Sequence, residues 1–147
     1  MEGSIKKVIK YGLSALNMYS EDSADLVFKT GMAESRYRHL RQMSGPALGF
    51  FQCEPATMDD VWKNYVSYRP PLKVQLWDLG YKEDDRMSFL GSIAVQAAFC
   101  RLQYRRDKQA IPDKSDLEAQ AAYWKRVYNT IHGKGTIEHF MEANKNG

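Results

Sequence analysis

The stretch from residue 88 to residue 100, SFLGSIAVQAAFC, is apolar or small at almost every position. A helix at the surface of a globular protein carries polar residues along one face, and this stretch has no such face. It therefore predicts a helix that is buried all round, at the centre of the fold. The chain turns basic and polar from Arg101 onward, where the helix is expected to reach the surface.

The segments before this stretch are predicted to be helices that cover it. Apolar residues between Ile5 and Leu16 recur at spacings of three and four, which is the pattern of one helix face. A second helix is predicted to begin near Ser20 or Ser23 and to end at Glu34. The segment 36–51 has no sustained periodicity and contains glycine and proline, so it is predicted to be an irregular, partly extended excursion.

N-capping patterns predict three more helix starts, at Thr57 with Asp60, at Ser115 with Glu118, and at Thr136. Pro70–Pro71 is predicted to end the helix that begins at Thr57, because proline has no amide donor and disfavours helix in the residue before it. Gly133 and Gly135 should interrupt the helix that begins at Ser115. No repeat or linker divides the chain. The sequence predicts one compact domain over residues 1–147, all-α or α with minor β.

Charge and cysteine content exclude several classes of function. The 21 basic and 18 acidic residues leave a net charge of +3 without a coherent basic stripe, which does not favour nucleic acid as a partner. The two cysteines, Cys53 and Cys100, are too few for a disulfide framework and are predicted to be free thiols. His39, His132 and His139 have no metal-ligand spacing, so neither a metal nor a cofactor is expected.

Hydropathy predicts no membrane span, because no apolar run is long enough to cross a bilayer. The N-terminal residues 1–7, MEGSIKK, have no apolar core or cleavage signal of a secretory leader. The expectation is therefore a protein made in the cytoplasm.

Glu34 is the first candidate for chemistry. It follows the apolar pair Met32 and Ala33 at the end of a predicted helix. A carboxyl against an apolar wall has its charged form disfavoured, which raises its pKa toward neutrality and suits a general acid. From these residues alone, a solvated surface charge is the more common alternative.

The following segments carry a resemblance to a known family. They are Glu34-Ser35, Gly49-Phe50-Phe51-Gln52 and Pro55-Ala56-Thr57. In this order and spacing they resemble the soluble lytic transglycosylase and goose-type lysozyme family, with its Glu-Ser pair, Gly-Leu-Met-Gln-like turn and Pro-x-Thr helix start. Two weaker matches lie downstream, where Ser92 and Gln96 replace the asparagine and glycine of the family's buried helix. Tyr128-Asn129-Thr130 resembles the family's Tyr-Asn-Ala-Gly segment, with two residues inserted before Gly133.

The resemblance implies a lysozyme-like domain that cleaves peptidoglycan glycan strands between N-acetylmuramic acid and N-acetylglucosamine. Glu34 would protonate the glycosidic oxygen and then act as the base. In lytic transglycosylases the C6 hydroxyl of the muramic acid attacks C1 and gives a 1,6-anhydro product. Such a site needs no second carboxylate, whereas retaining and inverting hydrolases normally use two. Asp59 and Asp60 are better explained by the start of the helix, and Glu54 stays open as a partner.

The resemblance also implies supporting roles, each with a structural alternative. Ser35 would bind Glu34 or the substrate, or would only cap the helix, and Gln52 would bind sugar acetamido or hydroxyl groups. Gly49 would let the backbone approach a sugar or would only make a turn, and Phe50 would stack on a sugar ring unless it or Phe51 is core. Tyr128 and Asn129 would fix the carboxyl of Glu34 or the muramic N-acetyl group, unless Tyr128 is core.

Two alternatives to a transglycosylase stay open: a hydrolytic lysozyme of the same fold, and a catalytically silent virion or wall-binding module. Compact members of this family are often carried by bacteriophages, so the resemblance admits virion proteins as partners beside peptidoglycan. The site of action would be the cell wall, for a lysis enzyme or for a virion component. A basic segment, Arg36, Arg38, His39 and Arg41, would either help to hold an anionic polymer or be a solvated loop.

Overall fold

The computed structural model describes residues 2–38 and 46–146, and the predicted all-α class is confirmed. In chain order the helices are α1 Glu2–Ala15, α2 Glu21–Glu34, α3 Pro55–Asn64, α4 Pro70–Asp78, α5 Arg86–Leu90, α6 Ile93–Arg105, α7 Leu117–Tyr123 and α8 Ile137–Asn144. A 3₁₀ turn, Val66–Tyr68, links α3 to α4, and a π-helix, Trp124–Asn129, directly follows α7. Within the described ranges, extended pairing is limited to two isolated bridges, Leu48 with Cys53 and Lys82 with Asp85.

The predicted central helix is α6, whose apolar residues are almost all buried. The apolar stretch 88–100 is nevertheless two helices and not one. Helix α5 ends at Leu90, and Ser92 then caps α6 by accepting a hydrogen bond from the backbone N–H of Val95, 3.2 Å away. A serine that can accept this bond begins a new helix more readily than it continues an old one.

Helix α6 separates two apolar clusters by presenting a different face to each. One face packs with α1, α2, α7, the π-helix and α8, and the other packs with α3, α4 and α5. The first face carries Ala97, Cys100 and Tyr104, and the second carries Val95, Ala98 and Leu102. Spacings of three and four on each face are what an α-helix requires to serve both clusters. The two clusters divide the molecule into two halves. The end of α2 lies in one half and the start of α3 lies in the other, so a groove between the halves lies beside both helix ends.

Two predicted helix starts are confirmed. Ser20 caps α2 in a reciprocal box with Ser23, and Thr136 caps α8 by accepting from the backbone N–H of His139. The capping pair predicted at Ser115 and Glu118 is wrong, because the side chain of Asp116 is the group that caps α7. A carboxylate one residue later makes the same bond to a helix N–H.

The predictions around α3 also need correction. Helix α3 begins at Pro55 and not at Thr57, and Pro70 opens α4 and does not simply end the preceding helix. Proline is favoured in the first turn of a helix because the N–H groups of that turn have no acceptor within the helix, so the N–H that proline lacks is not needed there. Asp59 and Asp60, expected to serve the helix start, instead pair across the surface with Arg86 of α5, 3.2 Å away, and with the arginine that follows α6, 2.6 Å away.

Candidate active site

An open cleft of about 670 Å³ lies where the two halves of the molecule meet. The end of α2, the turn 48–53, the start of α3, the π-helix, the loop 130–135 and α8 all contribute to it. The polar side chains that line it are Glu34, Gln52, Glu54, Thr57, Gln103, Tyr128, Asn129, Thr130, His132, Lys134 and His139.

Glu34 is the last residue of α2 and lines this cleft. Burial disfavours its charged form and raises the pKa of its carboxyl from 4.5 to about 7. A hydrogen bond from the indole Nε1–H of Trp124 to Glu34 Oε2, 3.0 Å long, acts in the opposite direction and lowers the pKa. Burial is the larger effect, so the direction predicted from the apolar neighbours is confirmed. A carboxyl in this state keeps its proton to a higher pH than an ordinary glutamate does.

Trp124 is the partner of Glu34 that the sequence did not reveal. Its ring is almost fully buried and packs on Phe140 of α8, with centroids 5.3 Å apart. Because the ring is held on its other sides, its N–H is fixed in the direction of the carboxyl. Sequence periodicity places Trp124 on the apolar face of its helix, and nothing in that pattern indicates that its N–H reaches α2.

The π-helix Trp124–Asn129 brings several cleft residues to one face. In a π-helix each N–H bonds to the carbonyl five residues earlier, so residue i+5 lies above residue i. Thr130 N–H bonds to the carbonyl of Lys125 in this way, 2.7 Å away. Trp124 and Asn129 therefore share the face that lines the cleft, which an α-helical turn would separate. Tyr128 lies beside them and stacks on Tyr104 of α6, with centroids 5.5 Å apart.

The turn 48–53 is held by three side chains that come from three different elements. Ser35, at the end of α2, donates its hydroxyl to the carbonyl of Phe50, 2.6 Å away. Gln96, on α6, accepts from the N–H of Phe50 through Oε1, 2.9 Å away. Tyr128, on the π-helix, donates its hydroxyl to the carbonyl of Phe51, 2.5 Å away. The turn is thus fixed to α2, to the central helix α6 and to the π-helix.

These contacts place the predicted substrate-binding residues in two groups. The hydroxyls of Ser35 and Tyr128 are committed to the turn and do not bond to Glu34. Gln52 and Asn129 line the cleft. Gln52 donates its amide Nε2 to the carbonyl of Gly49, 2.9 Å away, which leaves its Oε1 as the acceptor that a ligand can use. The Oδ1 of Asn129 accepts from Lys125 Nζ, 2.7 Å away, so its amide N–H groups are the available donors.

Gly49 and Phe50 are not among the residues that line the cleft. Gly49 has a φ of 78°, and a Cβ at this position would lie 3.0 Å from the amide of Gln96. The turn and the packing therefore require glycine, which agrees with the structural alternative for this residue. Phe50 packs edge-on against the ring of Tyr37, with centroids 5.6 Å apart, and Phe51 is core at 1% exposure.

Glu54 is the other carboxylate that lines the described cleft, and it is exposed. Cys53 also lines the cleft but is buried, and burial raises the pKa of its thiol to about 12. Cys53 and Cys100 are both free thiols, as predicted. Arg36 and Arg38 of the basic segment are exposed, whereas His39 and Arg41 lie outside the described residues.

His139 lies beside the acid, where its Nε2 is 2.7 Å from the carbonyl of Ala33. Since a carbonyl can only accept, this nitrogen carries the proton. Among residues 2–38 and 46–146, no three His, Cys, Asp or Glu side chains come together in a way that could hold a metal ion. None of the helices described above is both long enough and apolar enough to cross a bilayer.

Comparison of the chain with protein-family models, with curated proteins and with solved structures gave no match in any of the three.

Proposed function

We propose that this protein cleaves the bond between N-acetylmuramic acid and N-acetylglucosamine in bacterial peptidoglycan, as a lytic transglycosylase with Glu34 as its acid and base. The observation that carries the proposal is the state of Glu34. It is a largely buried carboxyl with a pKa of about 7 that nevertheless opens into a cleft of about 670 Å³. The motif order around Glu34, Gly49–Gln52 and Pro55–Thr57 supports the same family of reactions.

In this proposal each carboxyl oxygen of Glu34 has its own role. Trp124 donates its N–H to Oε2, so in the neutral carboxyl Oε2 acts as the acceptor and Oε1 carries the proton. The first step transfers this proton to the glycosidic oxygen as the bond from that oxygen to C1 breaks. The carboxylate that remains keeps the Trp124 hydrogen bond, which stabilises its charge.

In the second step the Glu34 carboxylate takes the proton from the C6 hydroxyl of the muramic acid while that oxygen bonds to C1. The product is a 1,6-anhydro ring, no water is consumed, and Glu34 regains its proton. A group that must both give and take a proton works best when its pKa is near the working pH. The burial of Glu34 supplies this condition.

A hydrolytic lysozyme is the second candidate, and Glu54 is the observation that favours it. Glu54 is an exposed carboxylate on the same cleft, at the N-terminal end of α3. Hydrolysis normally needs a second carboxylate that activates water or bonds to C1. In that case Glu54 would be required for turnover, whereas the transglycosylase reaction does not use it.

The test is digestion of purified peptidoglycan by wild type, Glu34→Gln and Glu54→Gln, with the products weighed by mass spectrometry. We expect muropeptides one water lighter than hydrolysis products, a loss of about 10²–10⁴-fold in Glu34→Gln, and little loss in Glu54→Gln. Reducing-end muramic acid with loss of activity in Glu54→Gln would establish the lysozyme instead. No product from wild type would point to a silent wall-binding or virion module.

A further inference from the structure

The loop 130–135 forms one wall of the cleft, and a single ammonium group holds it. Lys125 lies in the π-helix, and its Nζ lies 2.9 Å from the carbonyl of Thr130 and 3.1 Å from the carbonyl of Gly133. The same Nζ is 2.7 Å from Asn129 Oδ1. In the described part of the chain Lys125 has no carboxylate partner, so its three donors all serve this loop and its base.

The loop reaches from Lys125 to the ring that contacts the acid. A Cβ on Gly135 would lie 2.6 Å from Trp124 Cη2 and 3.3 Å from Trp124 Cζ2. Cζ2 is one atom removed from the carbon that bears Nε1, so the loop covers the edge of the indole next to its N–H. That N–H is the donor to Glu34 Oε2. The closed position of the loop is therefore coupled to the surroundings of the Glu34 carboxyl through the indole ring of Trp124.

We propose that Lys125 is a positioning residue for the acid: its ammonium holds the loop 130–135 closed over Trp124 and so keeps water away from the carboxyl of Glu34. The name "acid" for Glu34 rests on the proposed function, but the coupling from Lys125 through Gly135 and Trp124 to Glu34 does not. Lys125 does not touch the substrate in this account, and it acts through the loop.

A purely electrostatic role for Lys125 predicts the opposite sign. The other charged or titratable groups that line the cleft with Glu34 are Glu54, His132, Lys134, His139, Cys53 and Tyr128. Removal of a nearby cation disfavours a carboxylate and raises its pKa, or leaves it unchanged at a distance. Opening of the loop admits water to Glu34, weakens the desolvation that dominates its shift, and lowers its pKa. The direction of the change therefore separates the two roles.

The experiment is an NMR titration of the Glu34 side-chain carboxyl carbon in the intact protein, for wild type, Lys125→Met and Lys134→Met. Methionine keeps the length of lysine and removes its charge and donors. Lys134 is an exposed cation on the same loop for which no hydrogen bond is found in the described structure, so it is the matched control. We expect the wild-type pKa near 7, a fall of about one unit in Lys125→Met, and no fall in Lys134→Met.

Backbone hydrogen exchange reports the loop itself, with faster exchange of the Thr130 and Gly133 amides expected in Lys125→Met. An unchanged or raised Glu34 pKa in a folded Lys125→Met protein would overturn the proposal. If that variant does not fold, Lys125→Arg decides, since it keeps the charge but replaces a compact ammonium with a planar fork. Faster loop exchange in Lys125→Arg with the Glu34 pKa unchanged would overturn the proposal, and a lowered pKa would support it.

Neither readout depends on turnover. A protein that shows the coupling but releases no muropeptides would refute the proposed function and leave this inference standing. A protein that cleaves peptidoglycan without the coupling would do the reverse.

Discussion

The two walls of the cleft are built in different ways. One wall, here called the turn wall, is the turn 48–53. It is fixed by Ser35, Gln96 and Tyr128, which lie on three elements far apart in sequence. The other wall, here called the loop wall, is the loop 130–135. It is fixed by Lys125, which belongs to the helix that the loop directly follows. The turn therefore cannot move without disturbing tertiary structure, whereas the loop can open by breaking local bonds. Glu34 thus lines a cleft that has one wall set by the fold and one wall set locally.

This difference fits the proposed reaction, in which the cleft takes in a polymer while the carboxyl of Glu34 is kept away from water. A substrate chain needs one wall that yields, and a carboxyl with a raised pKa needs enclosure while it holds its proton. We expect the loop wall to move when a polymer enters, and the turn wall to hold the residues of the site in place.

The largest expected effect tests whether the two walls together enclose Glu34. Its folded-state pKa of about 7 lies above its ordinary value of 4.5, so the folded protein binds this proton more tightly than the unfolded chain. The stability from this group is fully present below about pH 4.5 and is lost as pH rises through 7. The loss by pH 8 amounts to about 3 kcal/mol of unfolding free energy.

The measurement is urea denaturation of wild type and Glu34→Gln at intervals from pH 4.5 to pH 8. Glutamine keeps the shape and cannot ionise, so the difference between the two curves isolates Glu34 from every other titrating group. Wild type should lose stability relative to the variant as pH rises. Parallel curves would mean that the walls leave the carboxyl solvated.

The sequence predicted the turn wall better than the loop wall. The glycines and the proline of residues 36–51 predict irregular structure there, and the apolar residues before Glu34 indicate its raised pKa. The partners of the turn were not predictable, because the hydroxyls of Ser35 and Tyr128 are equally suited to a substrate or a backbone carbonyl. Only the packed fold decides between these acceptors.

The loop wall depends on a π-helix, which has no compositional signature. A shift of one residue in the hydrogen-bond pattern at Trp124–Asn129 brings Trp124 and Asn129 to one face, and periodicity based on the α-helix cannot detect it. The helix at Pro70 was missed for a related reason. Proline disfavours the interior of a helix and favours its first turn, so the same residue indicates an end or a beginning.

The next effect tests the claim that the turn wall is part of the fold. Replacing Gln96 with methionine keeps the length of the side chain and removes the acceptor for the N–H of Phe50 and the donor for the carbonyls of Phe89 and Leu90. A buried polar group left without its partner costs on the order of 1–3 kcal/mol. We expect Gln96→Met to lower the unfolding free energy by about 2 kcal/mol, more than Lys125→Met does.

Gln103→Met is the matched control for this substitution. Gln103 lies on the same helix, is half-buried, and makes one weak contact, 3.5 Å from its Nε2 to Cys53 Sγ. Chemical denaturation of the three methionine variants should rank Gln96 as the most damaging. If Lys125→Met proves as costly as Gln96→Met, the loop is as much a part of the cooperative fold as the turn.

The smallest effect concerns strain in the loop wall. Thr130 ends the π-helix with φ 68° and ψ 174°, a conformation that is strained for any residue with a Cβ and most of all for a β-branched one. Glycine adopts it freely but loses more chain entropy on folding. We expect Thr130→Gly to raise the unfolding free energy by about 1 kcal/mol, a net gain after that entropy cost.

Asn17→Gly is the control, because Asn17 is exposed at φ 56° and asparagine tolerates this region, so its change should be near zero. Equal effects in the two variants, measured by chemical denaturation, would show that Thr130 stores no strain. A gain confined to Thr130→Gly would instead mean that Lys125 holds the loop wall in a conformation that its own sequence does not favour.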